Sequence, residues 1–286
     1  MDMRKQAEKA EQFLKLHHGS RLLLLPNAWD VASARILEEC GHNAIATTSA
    51  GIAYSLGYPD GQRISRGEML EVVGRIARAV RIPVTADLEA GYGTTPKEMA
   101  ETVKAAIEAG AIGMNFEDVT GDDESSQVAI PLQVEKIRAI RETAASRGVP
   151  FVLNARTDVY LIPVGPEPTR FERTVERLRA YRDAGADCLF APGLYDRDTI
   201  AKLVKAVGAP LNILANPACP PIAELEKIGV ARVSAGSGIM RAAMGVVERI
   251  GKEMLEARSC DTMFAGATPF NELKRMMTHQ SSPAHA

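Results

Sequence analysis

Asp87 and Glu89 stand two positions apart at the end of the apolar run Val84-Thr85-Ala86. In an extended strand residues i and i+2 share a face, so both carboxylates are expected on one side of the strand end. Two such groups repel each other unless a cation sits between them. The chemistry they suggest is a divalent-metal site. Mg2+ is the first choice and Mn2+ the alternative, because hard cations take oxygen ligands. A polar loop of solvated acids is the other reading of the same stretch. Ile82-Pro83 leads into the run, and Gly91-Tyr92-Gly93 turns the chain away from it.

Such a pair needs a scaffold, and the rest of the chain supplies a regular one. Strand-like runs at 22–26, 44–48, 82–87, 112–116, 151–154, 187–190, 211–215 and 232–234 alternate with stretches of helical spacing. Those stretches cover 30–39, 66–80, 96–109, 132–147, 170–184, 198–207, 222–227 and 239–256. Thr95-Pro96 reads as a helix cap followed by proline at the first helical position. Gly41, Gly110, Gly185 and Gly229 each fall between a helix and the next strand, where glycine ends a helix.

Eight strand–helix units predict an α/β fold, a (β/α)8 TIM barrel. An N-terminal helix at about 1–15 precedes it and helices at about 237–277 follow it. An open doubly wound sheet is the alternative, but no G-x-G-x-x-G follows the first strand. The reading is one domain over 1–286, with irregular stretches at 50–65 and about 119–131. In a barrel both lie on the catalytic face, and the second is expected to act as a lid.

A barrel also says where to look for chemistry, because its active sites lie at the carboxyl ends of the strands. The residues there are Ser49-Ala50-Gly51, Asp87, Glu89, Glu117, Asp118, Arg156, Asp158 and Asn216. Several carboxylates and one arginine suit a Mg2+ held mostly through water, with an anionic substrate beside it. Arg156 offers a planar fork that matches a carboxylate. A salt bridge to Asp158 or Glu117 is its competing role. Asp118 is also read as a turn cap, and Tyr92 as packing or a lid contact.

Composition narrows the partners. With 286 residues and a net charge of -2, the chain is large enough for a sizeable core and has no basic excess for nucleic acid or an anionic membrane. Its apolar runs are too short to span a bilayer. Its four cysteines, Cys40, Cys188, Cys219 and Cys260, form no C-x-x-C pair. The expectation is a reduced, cytoplasmic protein without structural zinc.

Five motifs at these strand ends carry a resemblance. They are Pro26-Asn27-Ala28-Trp29-Asp30, Thr48-Ser49-Ala50-Gly51, 86–93 with its Asp-Leu-Glu-Ala-Gly-Tyr-Gly, Asn115-Phe116-Glu117-Asp118, and Asn154-Ala155-Arg156-Thr157-Asp158. In order and placement the chain resembles the isocitrate lyase/phosphoenolpyruvate mutase superfamily over about 13–256. The resemblance implies a Mg2+-dependent enzyme that makes or breaks a C–C or P–C bond next to a 2-oxo acid. It implies that Asp87 binds the metal, that Glu89 and Glu117 reach it directly or through water, and that Asp60 lies further out. It assigns the amides around Ser49, Ala50 and Gly51 to a substrate carboxylate, Arg156 to the substrate's anionic group, and Asn216 to the substrate. It also implies a homotetramer in which the last long helix is exchanged between barrels.

Departures from the family pattern bear on the reaction. The lyases carry Lys-Lys-Cys-Gly-His in the loop after strand four, where this chain has 119–131 with no Cys, His or Lys. Cys40-Gly41-His42 imitates part of that signature, but it lies at a helix-to-strand joint, on the face opposite the chemistry. The mutases and phosphonopyruvate hydrolases place basic or amide groups on the same loop, where Asp122, Asp123 and Glu124 stand here. An acidic lid would repel a dianionic phosphonate. The expected activity is a carbon–carbon lyase or decarboxylase acting on an oxaloacetate-like acid through an enolate. Phosphonate chemistry, or 2-oxo acid binding without turnover, are the alternatives.

Overall fold

The computed structural model describes residues 2–120, 123–162 and 166–278, and the side chains of 123–126 lie outside that description. Eight parallel strands ring one axis. They are β1 (Leu23–Leu25, continued as Asn27–Ala28), β2 (Ile45–Thr47), β3 (Val84–Asp87), β4 (Gly113–Phe116), β5 (Val152–Arg156), β6 (Cys188–Phe190), β7 (Leu211–Leu214) and β8 (Arg232–Ser234). β1 closes the ring: Leu23–Leu25 pairs with β8, and Asn27–Ala28 pairs with β2. The expected (β/α)8 barrel is therefore the fold.

Helices surround the strands for the reasons the sequence suggested. Pro96–Ala109 starts at a capping box between Thr95 and Glu98 and stops at Gly110, whose φ of 102° glycine adopts without strain. Its Met99, Val103, Ala106 and Ile107 are buried. Burial of a residue of this size is worth about 1.5–3 kcal/mol, so the apolar stripe fixes which face meets the sheet. The N-terminal helix Met3–Leu16 covers the amino-terminal end of the barrel, where Gln6 Nε2 donates to the carbonyls of Ile107 and Ala111 at 2.8 Å.

The barrel axis is polar. Thr85, Asn115, Asn154, Asn212, Arg232 and Ser234 are all buried. Asn154 Nδ2 donates to Asn115 Oδ1, and Asn212 Nδ2 to Ser234 Oγ.

Two loops differ from expectation. The stretch 50–65 lies partly in a helix, Ser49–Ser55, capped by the Thr48 side chain. Gly51 is needed there, because a Cβ would lie 2.6 Å from Thr48 Cγ2 and 2.9 Å from Trp29 Cβ. The stretch 119–131 is a hairpin, Val119–Thr120 against Asp123–Gln127, that runs into the helix Ile130–Ser146. Asp122 and the side chains of Asp123 and Glu124 lie outside the described residues, as do residues 279–286.

After β8 come Gly238–Glu256, Asp261–Phe264 and Phe270–Thr278. The last of these lies against Val31–Glu39, where Arg275 Nη2 donates to Glu39 Oε1 at 2.6 Å. Among the described residues no helix is long and apolar enough to cross a membrane.

Candidate active site

The carboxyl ends of the strands open into a cavity of about 350 Å3. Asp87, the last residue of β3, lines it and is held on three sides. Its Oδ2 accepts from Ser49 N at 3.0 Å and Ser49 Oγ at 2.8 Å, and its Oδ1 accepts from Asn115 Nδ2 at 2.9 Å. Asn154 in turn donates to Asn115, so three adjacent strands orient one carboxylate. These donors are neutral. They place the Asp87 charge without cancelling it.

Glu89 does not share the face of Asp87. β3 ends at Asp87, and Glu89 has a φ of 52°, which breaks the pleat on which the i, i+2 expectation rested. Its Oε1 accepts from the Tyr92 hydroxyl at 2.8 Å and its Oε2 from Gln62 N at 2.5 Å. Burial raises its pKa to about 7, with the charges of Asp87 and Asp60 adding to the rise. Tyr92 is thus both a packing residue and the hydroxyl that binds Glu89.

Glu117 follows β4 and lies 2.7 Å from Arg156 Nη1. Arg156 is the last residue of β5, where a loop position was expected, and it also grips Asp158 at 2.6 and 2.9 Å. Burial raises the pKa of Glu117 well above the ordinary value, against the pull of Arg156. Burial would lower the pKa of Arg156, but Asp158 and Glu117 outweigh it and raise it. The guanidinium fork expected to meet substrate is engaged by protein carboxylates, as the competing role had it.

Glu89, Glu117 and Asp158 line a smaller cavity of about 230 Å3, and Ser49, Asp60, Arg156 and Leu161 line both cavities. Burial and the charge of Asp87 raise the pKa of Asp60. Asp118 is more than a turn cap. Fully buried, it accepts from Arg177, Tyr181, Gln127 and the Asp158 amide, and so ties the hairpin to the helix Arg170–Asp183.

Other expected residues are placed as follows. Ser49 and Ala50 line the large cavity, but the Ser49 amide is engaged by Asp87, and Gly51 N by Thr48 Oγ1 at 3.4 Å. Asn216 lies at the rim, where its Oδ1 accepts from Ala218 N. Cys40 is exposed at the carboxyl end of Val31–Glu39, away from the cavity.

The three expected metal ligands do not form a cluster. Among the described residues no group of three or more His, Cys, Asp or Glu side chains is arranged to hold a metal ion. The cause is local: Glu89 turns to Tyr92 and Gln62, and Glu117 pairs with Arg156. The donor chemistry still fits a hard cation. Mg2+ keeps several waters and needs one or two protein carboxylates. Asp87 presents an oriented carboxylate to the cavity, with no cation bonded to it among the described residues, and Asp60 lines the same cavity.

Sequence reasoning quoted Asn115 and Asn154 but gave them no role. The signal was present for Asn154, which stands two positions before Arg156 on β5 and so shares its face. It also missed Gln62, Arg177 and Tyr181, whose contacts arise between distant segments.

Comparisons with known proteins show the family of the chain. A model of the phosphoenolpyruvate phosphomutase family matches residues 13–255. The chain is 30% identical over 243 residues to 2-methylisocitrate lyase of Escherichia coli, covering 80% of each. A solved structure from Burkholderia cenocepacia, described as a lyase/mutase, is 40% identical with a TM-score of 0.89, covering 95% of this chain and 96% of that one. Oxaloacetate acetylhydrolase, solved with its product oxalate, is 26% identical with a TM-score of 0.82, covering 95% and 94%.

Proposed function

We propose a reaction from this premise: the chain belongs to the phosphoenolpyruvate phosphomutase family, within a superfamily of lyases and mutases. The reading is a Mg2+-dependent carbon–carbon lyase or decarboxylase acting on a small 2-oxo or 2-hydroxy acid of the oxaloacetate type. One observation carries it. Asp87 is oriented by Ser49 and Asn115 toward a 350 Å3 cavity, and among the described residues no protein cation is bonded to it.

Mg2+, or Mn2+ in its place, would be held by Asp87, with Asp60, Glu89 and Glu117 reached through water, and would supply a Lewis acid for the 2-oxo oxygen. In decarboxylation of an oxaloacetate-type acid the electron pair of the broken bond stays on the 2-oxo fragment as an enolate, and CO2 leaves. In cleavage of a 2-hydroxy acid the hydroxyl gives up its proton and becomes the 2-oxo group of one product, and the pair passes to the carbon beside the carboxylate of the other. Ser49 and Asn115 keep Asp87 fixed as that charge develops, so no reorganisation is needed at that moment. Arg156 sets the charge of the wall. It pairs with Glu117 and Asp158, and the smaller cavity, with Asp60 and Glu89, still holds more carboxyl groups than arginines, which suits a metal reached through water.

The assembly we propose is a homotetramer with exchange of the last long helix. Gly238–Glu256 buries one residue, Met240, among its nineteen. Val247 and Leu255 are 61% and 81% exposed on it, and Leu24 within β1 is 46% exposed. An exposed leucine on a barrel strand and a bare helix in one chain suit a partner that covers both.

The test is a panel of oxaloacetate, 2-methylisocitrate, dimethylmalate and phosphonopyruvate, each with Mg2+ and with EDTA. Mg2+-dependent release of a 2-oxo acid or CO2 from a carboxylic substrate is the expected result. Turnover of phosphonopyruvate alone would replace this reading by the phosphonate one. Tight oxalate binding without turnover of any member would make the chain a binding protein.

A further inference from the structure

We infer that the floor of the large cavity is a second anion site, where the Arg232 guanidinium and the Thr85 hydroxyl receive one small carboxylate. Arg232 opens β8 and is only 2% exposed, yet it lines the cavity that Asp87 lines higher up. Its Nε and Nη1 are buried without a hydrogen-bond partner among the described residues. Thr85 Oγ1 is buried in the same state and lines the same cavity.

Among the described residues no counter-charge is in contact with Arg232. The Phe13 ring lies beneath it, 6.0 Å from the guanidinium carbon. Burial lowers the pKa of His17 to about 3, with the charge of Arg232 adding to the fall, so His17 is neutral. Burial pushes the Cys188 thiol up to about 12, so it is neutral too. Asn212 and Ser234 hydrogen-bond each other. Asp87 attracts Arg232 through space, but no ion pair joins the two among the described residues.

Burial lowers the pKa of Arg232 only to about 10, so it stays cationic at neutral pH. A buried cation without a counter-charge is strongly unfavourable, and an unpaired fork is shaped for a carboxylate. The ligand is either one arm of a dicarboxylic substrate or a free monocarboxylate. Only the first source rests on the function proposed above.

The test reads binding to the full-length chain in EDTA, without turnover, so it stands apart from the reaction assay. Thermal unfolding is followed as formate replaces gluconate, a bulkier anion, at constant ionic strength. Wild type should show a saturable rise in Tm of about 2–4 °C, typical of a modest gain in stability for a chain this size. Arg232→Met should lose that rise. It should be no less stable than wild type in gluconate, because an apolar side chain replaces an uncompensated charge. Thr85→Val should reduce the rise, and it decides the matter if Arg232→Met fails to fold.

Calorimetry with malonate then separates the sources. Malonate binding weakened on the order of tenfold or more in Arg232→Met assigns the site to a substrate arm. A formate response that depends on Arg232, with unaltered malonate affinity, assigns it to a free monocarboxylate. No saturable formate response in wild type, or an equal one in the Arg232→Met or Thr85→Val variant, would overturn the proposal. Ordered water would then be what satisfies the guanidinium.

Discussion

Arg156 Nη1 lies 2.7 Å from Glu117 Oε2, and the same guanidinium holds Asp158 through Nε and Nη2. One cation therefore bridges two carboxylates from different strand ends, Asp158 buried and Glu117 half-buried. Arg156→Gln should cost about 3–5 kcal/mol, the usual loss when one member of a buried ion pair is removed. Arg156→Lys should recover only part of it, since an ammonium cannot grip Asp158 with two parallel bonds. Urea unfolding measures both. A loss under about 1 kcal/mol in Arg156→Gln would show that the two carboxylates are neutralised in another way.

Glu89 makes a prediction with a definite sign. Its folded pKa of about 7 lies above the ordinary glutamate value, so the folded state binds the extra proton. Its contribution to stability is full below about pH 4.5 and is lost as pH rises through 7. One pKa unit is worth about 1.4 kcal/mol, so about 3 kcal/mol is at stake. Stability measured in EDTA should fall over this window in wild type, and the slope should flatten in Glu89→Gln. An unchanged slope would assign the proton to another group.

Asp87→Ala should abolish Mg2+ binding in calorimetry and abolish turnover, with circular dichroism unaltered. The carboxylate faces the cavity, and the core is built from other residues. Unchanged Mg2+ affinity would remove Asp87 from the metal site.

Cys40→Ser should leave kcat within a few-fold of wild type. Loss of an acid/base group instead costs on the order of 10²–10⁴-fold. Near-complete inactivation of a stable variant would place Cys40 in the chemistry, against its exposed position at a helix end.

The exposed face of Gly238–Glu256 should be an assembly surface. Replacing Val247 and Leu255 together by Lys and Glu should shift the species seen by sedimentation toward the monomer. An unshifted tetramer would exclude this face from the interface, and a wild-type monomer would exclude the assembly.

The fold and the address of the site were legible in the chain. Strand positions follow from apolar runs, and helix ends from local signals such as Thr95, Pro96 and the positive-φ Gly110. These are short-range effects, set within a few residues, so sequence carries them directly. The carboxyl-end rule then collected Asp87, Glu89, Glu117 and Arg156 in one mouth.

What those residues do to one another was decided only in three dimensions. Glu89 left the face of Asp87 because its backbone turns at φ 52° to meet Gln62, which a sequence pattern of i and i+2 does not record. Arg156 turned out to be shared by Glu117 and Asp158, and Asp118 to anchor the hairpin through Arg177 and Tyr181. Arg232 read as an ordinary strand residue until the barrel closed around it. Charge pairing, burial and pKa depend on atoms brought within a few ångströms by segments far apart in the chain. Sequence determined which groups reach the mouth of the barrel, and tertiary structure alone determined which of them remain unpaired.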